Sequence, residues 1–302
     1  MRVGLGLPVS GTWATPETLR HVAGAADERG FASLWTFQRL LHPVDEEWGA
    51  AYHSVLDPLA SLGYAAAVTE RIRLGVAVVM APYYAPIVLA KSLTTIDVLS
   101  RGRLDVGLGL GWSAQEFEAV GVPMEGRGAR AEEFVAALKA IWTQDPVEHH
   151  GPLYDVPRSH VDPKPVQRPH PPLLLGGGAP AALRRVGRIA DGWISSSRTD
   201  LTTIGEQVDL IKGSAVEAGR DASVLRFVVR GVVRLTDGPT EGDARIPLQG
   251  TASQIRDDLA RLEEQGITEV FLDLNWDDST VGAADPAVAL ANAERVLDQL
   301  AP

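Results

Sequence analysis

The chain has 302 residues, of which 45% are hydrophobic and 22% charged, and this apolar share excludes a largely disordered protein. It contains no cysteine, which excludes disulfides, thiolate catalysis and cysteine-based metal sites. The net charge of −11 argues against binding to nucleic acid or to an anionic membrane, because both need a basic face. No apolar run reaches the roughly 18 residues of a membrane span, and the N-terminus lacks an export-signal pattern, so we expect a cytoplasmic protein.

Short apolar runs alternate with amphipathic segments along the first half of the chain. The helix that we expect at residues 130–143 is the strongest, because Phe134, Leu138 and Ile141 recur on one face of a 3.6-residue period. The pattern predicts strands at residues 3–9, 33–37, 73–80 and 104–110, and helices at 17–29, 58–69, 87–99 and 130–143.

The second half repeats this alternation after a break at residues 147–172, which are rich in proline and histidine and have no helical period. Thr251 and Gln254 form the pattern of a capping box, and Gly266 is typical of a helix end. The pattern predicts strands at residues 173–175, 193–196, 226–235 and 270–274, and helices at 180–190, 201–218, 252–265 and 286–300.

Eight strands, each followed by a helix or a helix-sized segment, predict an α/β fold of the closed (β/α)₈ TIM-barrel class. No Gly-x-Gly-x-x-Gly motif joins the first strand to the first helix, which weakens the alternative of an open dinucleotide-binding sheet. No change in composition marks a linker, so we expect one domain over residues 1–302. The segment 147–172 is then an insertion before the fifth strand, forming a hairpin or a lid.

The loops after the strands carry the chemistry in such a barrel. The fifth strand runs into Gly176, Gly177 and Gly178, and Pro180 stands at the first position of the next helix. Bare backbone N–H groups at a helix start bind anions, and Ser196, Ser197 and Arg198 after the sixth strand would add donors and charge. This pattern favours a phosphate site, and the alternative is that the glycines only permit a sharp turn.

The fourth strand ends in alternating glycines followed by a tryptophan: Gly107, Gly109, Gly111 and Trp112. One interpretation is that the glycines clear one face of the strand for a flat ring. The other is close packing of the backbone at a crowded position of the barrel. Trp112 would likewise either stack on the ring or simply pack.

The sequence has no pattern of metal ligands among its seven histidines and no nucleophile elbow. Asp45, Glu46 and Glu47 fit a solvated loop better than a catalytic group. Because few acid–base groups follow the strands, we expect a bound cofactor to carry the chemistry.

The chain resembles the luciferase-like superfamily of flavin and deazaflavin oxidoreductases, also called bacterial luciferase-like monooxygenases, over its whole length. Four segments in barrel order carry the resemblance: residues 31–35 (FASLW), 73–83 with Pro86 (RLGVAVVMAPY), 97–112 (DVLSRGRLDVGLGLGW), and 163–169 (PKPVQRP) leading to the glycines at 176–178.

The resemblance implies a cofactor, either FMN or, in the branch that this chain is similar to, the deazaflavin coenzyme F420. It implies a non-prolyl cis peptide between Ala77 and Val78 behind the cofactor ring, with Gly109 and Gly111 lining the ring. It also places the cofactor phosphate at residues 176–178, completed by the region of Ser196.

The chain departs from the family pattern after the second strand, where Gln38 and Arg39 replace the acidic residue and histidine of many members, and at Trp112, where one branch has a catalytic glutamate. Gln38 and His53 are therefore the candidate catalytic residues, with Glu116 as a further candidate. The resulting expectation is hydride transfer between reduced F420 and a small organic substrate, with the 38–56 loop excluding water. The alternatives are an FMN-dependent monooxygenase and a non-catalytic barrel that binds the cofactor; members of the family often pair, so a homodimer is possible.

Overall fold

A computed structural model describes residues 1–240, 242 and 245–302. Eight parallel strands form a closed barrel in the order β1-β12-β9-β8-β7-β4-β3-β2, which confirms the predicted fold class. These strands are β1 (Arg2–Gly6), β2 (Ser33–Thr36), β3 (Arg73–Met80), β4 (Leu104–Gly109), β7 (Leu173–Gly176), β8 (Gly192–Ile194), β9 (Arg226–Val232) and β12 (Glu269–Asp273).

Helices follow the strands and cover the barrel. They are α1 (Pro16–Glu28), α2 (Pro58–Val68), α3 (Pro86–Leu99), α4 (Ala114–Val120), α5 (Arg127–Thr143), α6 (Pro180–Ile189), α7 (Ile204–Glu217), α8 (Ala252–Glu264), α9 (Asp278–Val281) and α10 (Pro286–Gln299). The capping box of Thr251 and Gln254 is present at α8 as predicted. None of the described helices is long and apolar enough to cross a membrane.

The structure differs from the predicted elements in several places, of which two concern whole elements near the site. The strand expected at 226–235 ends at Val232, and Arg234–Leu235 forms a separate strand, β10, which pairs outside the barrel with β11 (Gln249–Gly250). Helix α4 was not predicted, although its signal is local: the Ser113 side chain accepts a hydrogen bond from the N–H of Glu116, and Gly121 ends the helix in the left-handed conformation.

The insertion at 147–172 is a hairpin, as expected, of the antiparallel strands β5 (Val147–His150) and β6 (Asp155–Ser159). The alternative of a lid is not supported, because no residue of this segment lines the cavity at the carboxyl ends of the strands. Gln167 donates to Asp97 on α3 and to the carbonyl of Leu104, which begins β4. The segment after the hairpin thus packs at the amino end of the barrel, away from the strand ends that carry the site.

Apolar side chains fill the barrel interior. Trp35 and Phe271 stack with their ring centres 5.4 Å apart, and Leu174, Ile194 and Val228 pack with them. A plug of this kind closes the barrel, so a ligand can enter only above it, at the carboxyl ends of the strands.

An ionic cluster closes the amino end of the barrel below this plug. The buried carboxylate of Asp105 accepts hydrogen bonds from Arg73 at 2.6 and 2.9 Å and from Arg226 at 2.6 and 3.1 Å. Arg226 also donates to Glu269 at 3.0 Å, and Arg2 lies 2.9 Å from the same carboxylate. Burial alone would raise the pKa of Asp105, but its bonds and charges with Arg73 and Arg226 outweigh this effect and lower the pKa.

Asp105→Asn should lower the free energy of unfolding by about 3 kcal/mol, because it leaves buried guanidinium charge without its partner. A carboxyl with a lowered pKa stabilises the fold above its unfolded pKa of about 3.9 and loses that contribution as the pH falls further. The difference between the parent and the variant should therefore shrink only below about pH 4, which urea unfolding at pH 7 and pH 3 measures. Asp298→Asn, which removes an exposed carboxylate bonded to Arg29, is the control and should cost less than about 1 kcal/mol at either pH. A cost for Asp105→Asn no larger than that of the control would contradict this role of the cluster.

Candidate active site

A cavity of about 620 Å³ opens at the carboxyl ends of the barrel strands. Its volume lies within the range of about 300–1,000 Å³ that small-molecule sites occupy. It brings together most of the site residues predicted from sequence: Gln38, Ala77, Val78, Gly109, Gly111, Trp112, Gly176, Gly177, Gly178, Ser196 and Ser197.

The floor of the cavity is a bulge in β3. The peptide bond between Ala77 and Val78 is cis, as the resemblance implied, and the register between β3 and β4 shifts between Val76 and Val79. The Val78 side chain lies under Gly109 of β4, where a Cβ would collide with it, and 3.5 Å from the position of a Cβ on Gly176. Both residues of the bulge line the cavity.

The glycines of β4 are required by packing. A Cβ on Gly107 would meet the carbonyl of Val76, and one on Gly109 would lie 3.0 Å from the Met80 sulfur. Gly111 has φ +75°, a conformation that favours glycine, and a Cβ there would lie 2.8 Å from the Phe117 ring. Close packing therefore accounts for these glycines, and because Gly109 and Gly111 also line the cavity, contact with a ring stays a prediction.

A glycine turn joins β7 to α6 and forms one end of the cavity. Gly177 has φ +123°, and its carbonyl accepts a hydrogen bond of 2.8 Å from the Trp193 indole, which fixes the turn. A Cβ on Gly178 would stand in open space. Within the described part of the chain, no side chain caps the start of α6. The turn thus offers the uncovered backbone donors that an anion needs.

The polar residues after β8 differ in whether they line the cavity. Ser196 and Ser197 line the cavity, and Ser196 also bonds to Thr199 within its own turn. The structure places Arg198 differently from the prediction, because its exposed guanidinium lies 5.9 Å from the Trp112 ring and does not line the cavity. Its expected contact with a phosphate is therefore not supported.

Two further arginines stand at the glycine-turn end of the cavity. Arg127 begins α5 and Arg185 lies on α6, and both line the cavity beside the glycine turn. Arg185 donates to Glu132 at 3.0 Å and also packs against Gly128, where a Cβ would lie 2.8 Å from its Nη2. This end of the cavity is therefore positively charged on a chain that is acidic overall.

A buried ion pair lies between the floor and the far wall. Arg230 on β9 donates to the carbonyl of Ala77 and, at 3.1 Å, to Asp273 on β12. Asp273 also accepts bonds from the Asn275 backbone and side chain. Burial raises the pKa of Asp273, and the Arg230 charge opposes this rise.

Four aromatic side chains form what we call the aromatic wall: Phe37, Tyr52, Trp112 and Trp276. Phe37 and Trp276 follow β2 and β12, the neighbours of β1, which lies across the barrel from β7. The ring of Trp276 lies 4.3 Å from Phe37 and 5.6 Å from Tyr52, and Tyr52 lies 6.0 Å from Trp112. The wall is therefore continuous.

Two of the candidate catalytic residues, Gln38 and Glu116, are held by hydrogen bonds within the protein. The side-chain oxygen of Gln38 accepts from the N–H of Met80 at 2.8 Å, and its amide nitrogen donates to Tyr84 at 2.6 Å, so both ends are engaged. Glu116 is buried against Arg39 and also accepts from Tyr83.

His53 is exposed and lies outside the cavity. Its ring packs 5.3 Å from that of His42. The 3-10 turn Ala50–Tyr52 places Tyr52, rather than His53, at the cavity. The prediction of a catalytic role for His53 is not supported by this placement.

The cavity has an unusual set of ionisable groups. Among the described residues that line it there is no aspartate, glutamate or histidine, and Tyr52 is the one ionisable side chain besides the arginines. No cluster of three potential metal ligands occurs in the described ranges. This lining offers few acid–base groups, which favours a reaction whose chemistry is carried by a bound molecule.

The family pattern described as luciferase-like monooxygenase matches residues 2–246. The chain belongs to the luciferase-like monooxygenase family. This membership makes the protein an enzyme of the luciferase-like class of oxidoreductases. It agrees with the resemblance seen in the sequence.

Two relatives illustrate the range of this luciferase-like family. The protein Rv0953c of Mycobacterium tuberculosis is 35% identical over 306 residues, covering 96% of this chain and 99% of that protein. The FMNH2-dependent dimethylsulfone monooxygenase of Pseudomonas putida is 37% identical over 185 residues, covering 60% of this chain and 49% of that protein.

The fold of this luciferase-like chain is shared with a solved F420-dependent enzyme. The coenzyme F420 dependent tetrahydromethanopterin reductase of Methanopyrus kandleri superimposes with a TM-score of 0.76 over 99% of this chain and 98% of that one, at 17% identity. At this identity the likeness shows the common barrel.

Arg230→Met should lower the free energy of unfolding by about 3–5 kcal/mol, because it leaves the Asp273 carboxylate buried without its partner. The double variant Arg230→Met with Asp273→Asn should recover at least about 1 kcal/mol, since the remaining amide keeps its bond to Asn275 without charge. The deficit of Arg230→Met should also shrink as the pH falls, because a buried carboxyl with a raised pKa binds a proton more readily in the folded state.

Urea unfolding of the parent and the variants at pH 5 and pH 8 measures both effects. Equal costs for the single and double variants, or a deficit independent of pH, would show that the ion pair does not act as a unit.

Proposed function

We propose that the protein is an oxidoreductase that transfers a hydride between reduced coenzyme F420 and a small organic substrate. The observation that carries this choice of cofactor is the positive end of the cavity, where Arg127 and Arg185 stand beside the turn at Gly176–Gly178. F420 has an acidic tail beyond its phosphate, and such a tail needs more positive charge than a single phosphate does.

The residues present fit a cofactor of this shape. The bulge at Ala77 and Val78 gives a flat ring an apolar floor, and the glycine turn offers uncovered backbone donors to a phosphate. Ser196 and Ser197 supply further polar atoms at the same end. When bound, the cofactor would supply the hydride, and the chain would bind it, orient it and exclude water.

FMN is the second candidate, supported by the relationship to the FMNH2-dependent monooxygenase of Pseudomonas putida. The same turn and floor accommodate its single phosphate and its flavin ring. The third alternative is a barrel that binds the cofactor without catalysis.

Tyr52 is the residue that we propose carries the proton in the reaction. It lines the cavity, whereas Gln38 is engaged at both ends and His53 lies outside. Its hydroxyl is the one group among the described lining residues, apart from the guanidinium groups and the serine hydroxyls, that can release a proton.

Several broader features of the protein stay proposals. The net charge of −11 and the lack of cysteine support a cytoplasmic protein that binds a small molecule and no nucleic acid. The cavity is built from strands and helices along the chain, which supports one domain over residues 1–302. The exposed apolar side chains Val88 and Leu99 on α3 support a homodimer.

Titration of the purified protein with F420 and with FMN tests the choice of cofactor. F420 should bind more tightly, and Arg185→Ala should weaken F420 by about three- to tenfold while changing FMN by less than about twofold. Arg188→Ala is a matched control, because Arg188 lies on the same helix and bonds to the same Glu132 but does not line the cavity. Intrinsic fluorescence quenching gives both dissociation constants.

Tight FMN binding without F420 binding would favour the monooxygenase alternative. Binding of F420 without turnover of any compound in a broad screen would favour the non-catalytic alternative. If neither F420 nor FMN binds, the proposed function is contradicted.

Tyr52→Phe should lower kcat about 100-fold, the lower end of what a positioned proton donor contributes. The dissociation constant of F420 should stay within about twofold, since the aromatic ring is kept. Stopped-flow kinetics with a substrate found in the screen measures this, with the surface exchange Tyr64→Phe as control. An unchanged kcat would rule out Tyr52 as the proton carrier.

A further inference from the structure

The aromatic wall gives the cavity a second binding surface, separate from the phosphate end at the glycine turn. Its four rings come from four separate segments of the chain and meet edge to face at 4.3 to 6.0 Å between ring centres. Two of these segments follow β2 and β12, across the barrel from the glycine turn. A molecule bound over Val78 therefore has the wall as its neighbour on the side away from the phosphate end.

The geometry of these rings favours a flat partner. Rings that already pair edge to face leave further edges and faces for another aromatic ring, and such pairs contribute beyond the area they bury. Trp112 is 45% exposed and closes the wall towards solvent, where Trp48 packs on it at 4.8 Å. A flat molecule can thus enter along Trp112 and lie against Tyr52 and Trp276.

The charges around the wall disfavour a cationic partner. The Arg39 guanidinium carbon lies 4.8 Å from the ring centre of Trp112 and 5.3 Å from that of Tyr52. The Arg230 guanidinium carbon lies 4.1 Å from the ring centre of Trp276. Cation–π contacts to these rings are therefore already made by the protein itself.

The same charges do not require an anion. Arg39 is paired with Glu116 and Arg230 with Asp273, so each guanidinium is neutralised by a buried carboxylate. The carboxylates of Glu116 and Asp273 do not line the cavity, and its described lining contains no acidic side chain. The wall is thus apolar, flat-sided and without net charge.

We propose that the aromatic wall binds the planar, uncharged aromatic part of the substrate. The proposal rests on the proposed function and adds the chemical class of the molecule that meets the cofactor. It does not depend on which of the two cofactors is bound, because no residue of the wall belongs to the phosphate end.

Three probes of similar size test this class. 2-Acetylnaphthalene is flat and neutral, 2-acetyldecalin has the same skeleton with saturated rings, and N-methylquinolinium is flat and cationic. Isothermal titration calorimetry measures their binding to the full chain, first without a cofactor and then with F420 or FMN, whichever the protein binds. The naphthalene ketone should bind at least about tenfold more tightly than either of the other two.

Variants of the wall residues test whether the preference for the naphthalene ketone arises from these rings. Tyr52→Leu and Trp112→Leu should each weaken the naphthalene ketone by about three- to tenfold and leave the decalin ketone within about twofold. Tyr52→Phe, which keeps the ring and removes only the hydroxyl, should lose less affinity for the naphthalene ketone than Tyr52→Leu does. Tyr64→Leu removes an exposed ring on α2, outside the cavity, and should change nothing. Thermal melting confirms that each variant is folded.

The outcomes separate this inference from the proposed function. Uptake of F420 or FMN with equal affinity for all three probes, or tighter binding of the cation, would overturn the aromatic class and leave the cofactor assignment intact. Preference for the naphthalene ketone without binding of F420 or FMN would support aromatic binding at the wall and overturn the proposed function. Equal loss in Tyr52→Phe and Tyr52→Leu would show that the hydroxyl rather than the ring binds the probe.

Discussion

The guanidinium of Arg230 is the interaction on which the site depends. It joins three strands, because it lies on β9, donates to the Ala77 carbonyl on β3 and pairs with Asp273 on β12. It also lies over the ring of Trp276, so it links the floor of the cavity to the aromatic wall. A buried charge is stable only when it is paired and hydrogen-bonded. These bonds of Arg230 fix the floor and the wall relative to each other.

The two ends of the barrel use charge in different ways. At the amino end, Asp105 binds two arginines, and this cluster does not line the cavity of the site. At the carboxyl end, the carboxylates of Glu116 and Asp273 are each taken up by an arginine and withheld from the cavity. The result is a cavity with a positive end, an apolar floor and an aromatic wall, which suits cofactor chemistry better than acid–base catalysis by carboxylates.

Local signals made the barrel and the glycine turn predictable. An apolar run, three glycines and Pro180 lie within a few residues of one another, and the structure keeps them together as β7, the turn and α6. The role of Arg230 was not predictable in this way, because its partner Ala77 lies 153 residues away and the bond depends on the bulge in β3. Tyr52 lies in a loop without periodicity. The position of the segment after the hairpin was not predictable either, because its contacts with Asp97 and Leu104 are distant in sequence.

A crystal structure of the protein with F420 bound tests the central claim most directly. The account predicts the flat ring across Val78, between Gly109 and the aromatic wall, with the phosphate within about 2.7–3.2 Å of the backbone N–H groups of the turn at Gly176–Gly178. Density for the ring outside this cavity, or a phosphate held elsewhere with the turn left bare, would contradict it.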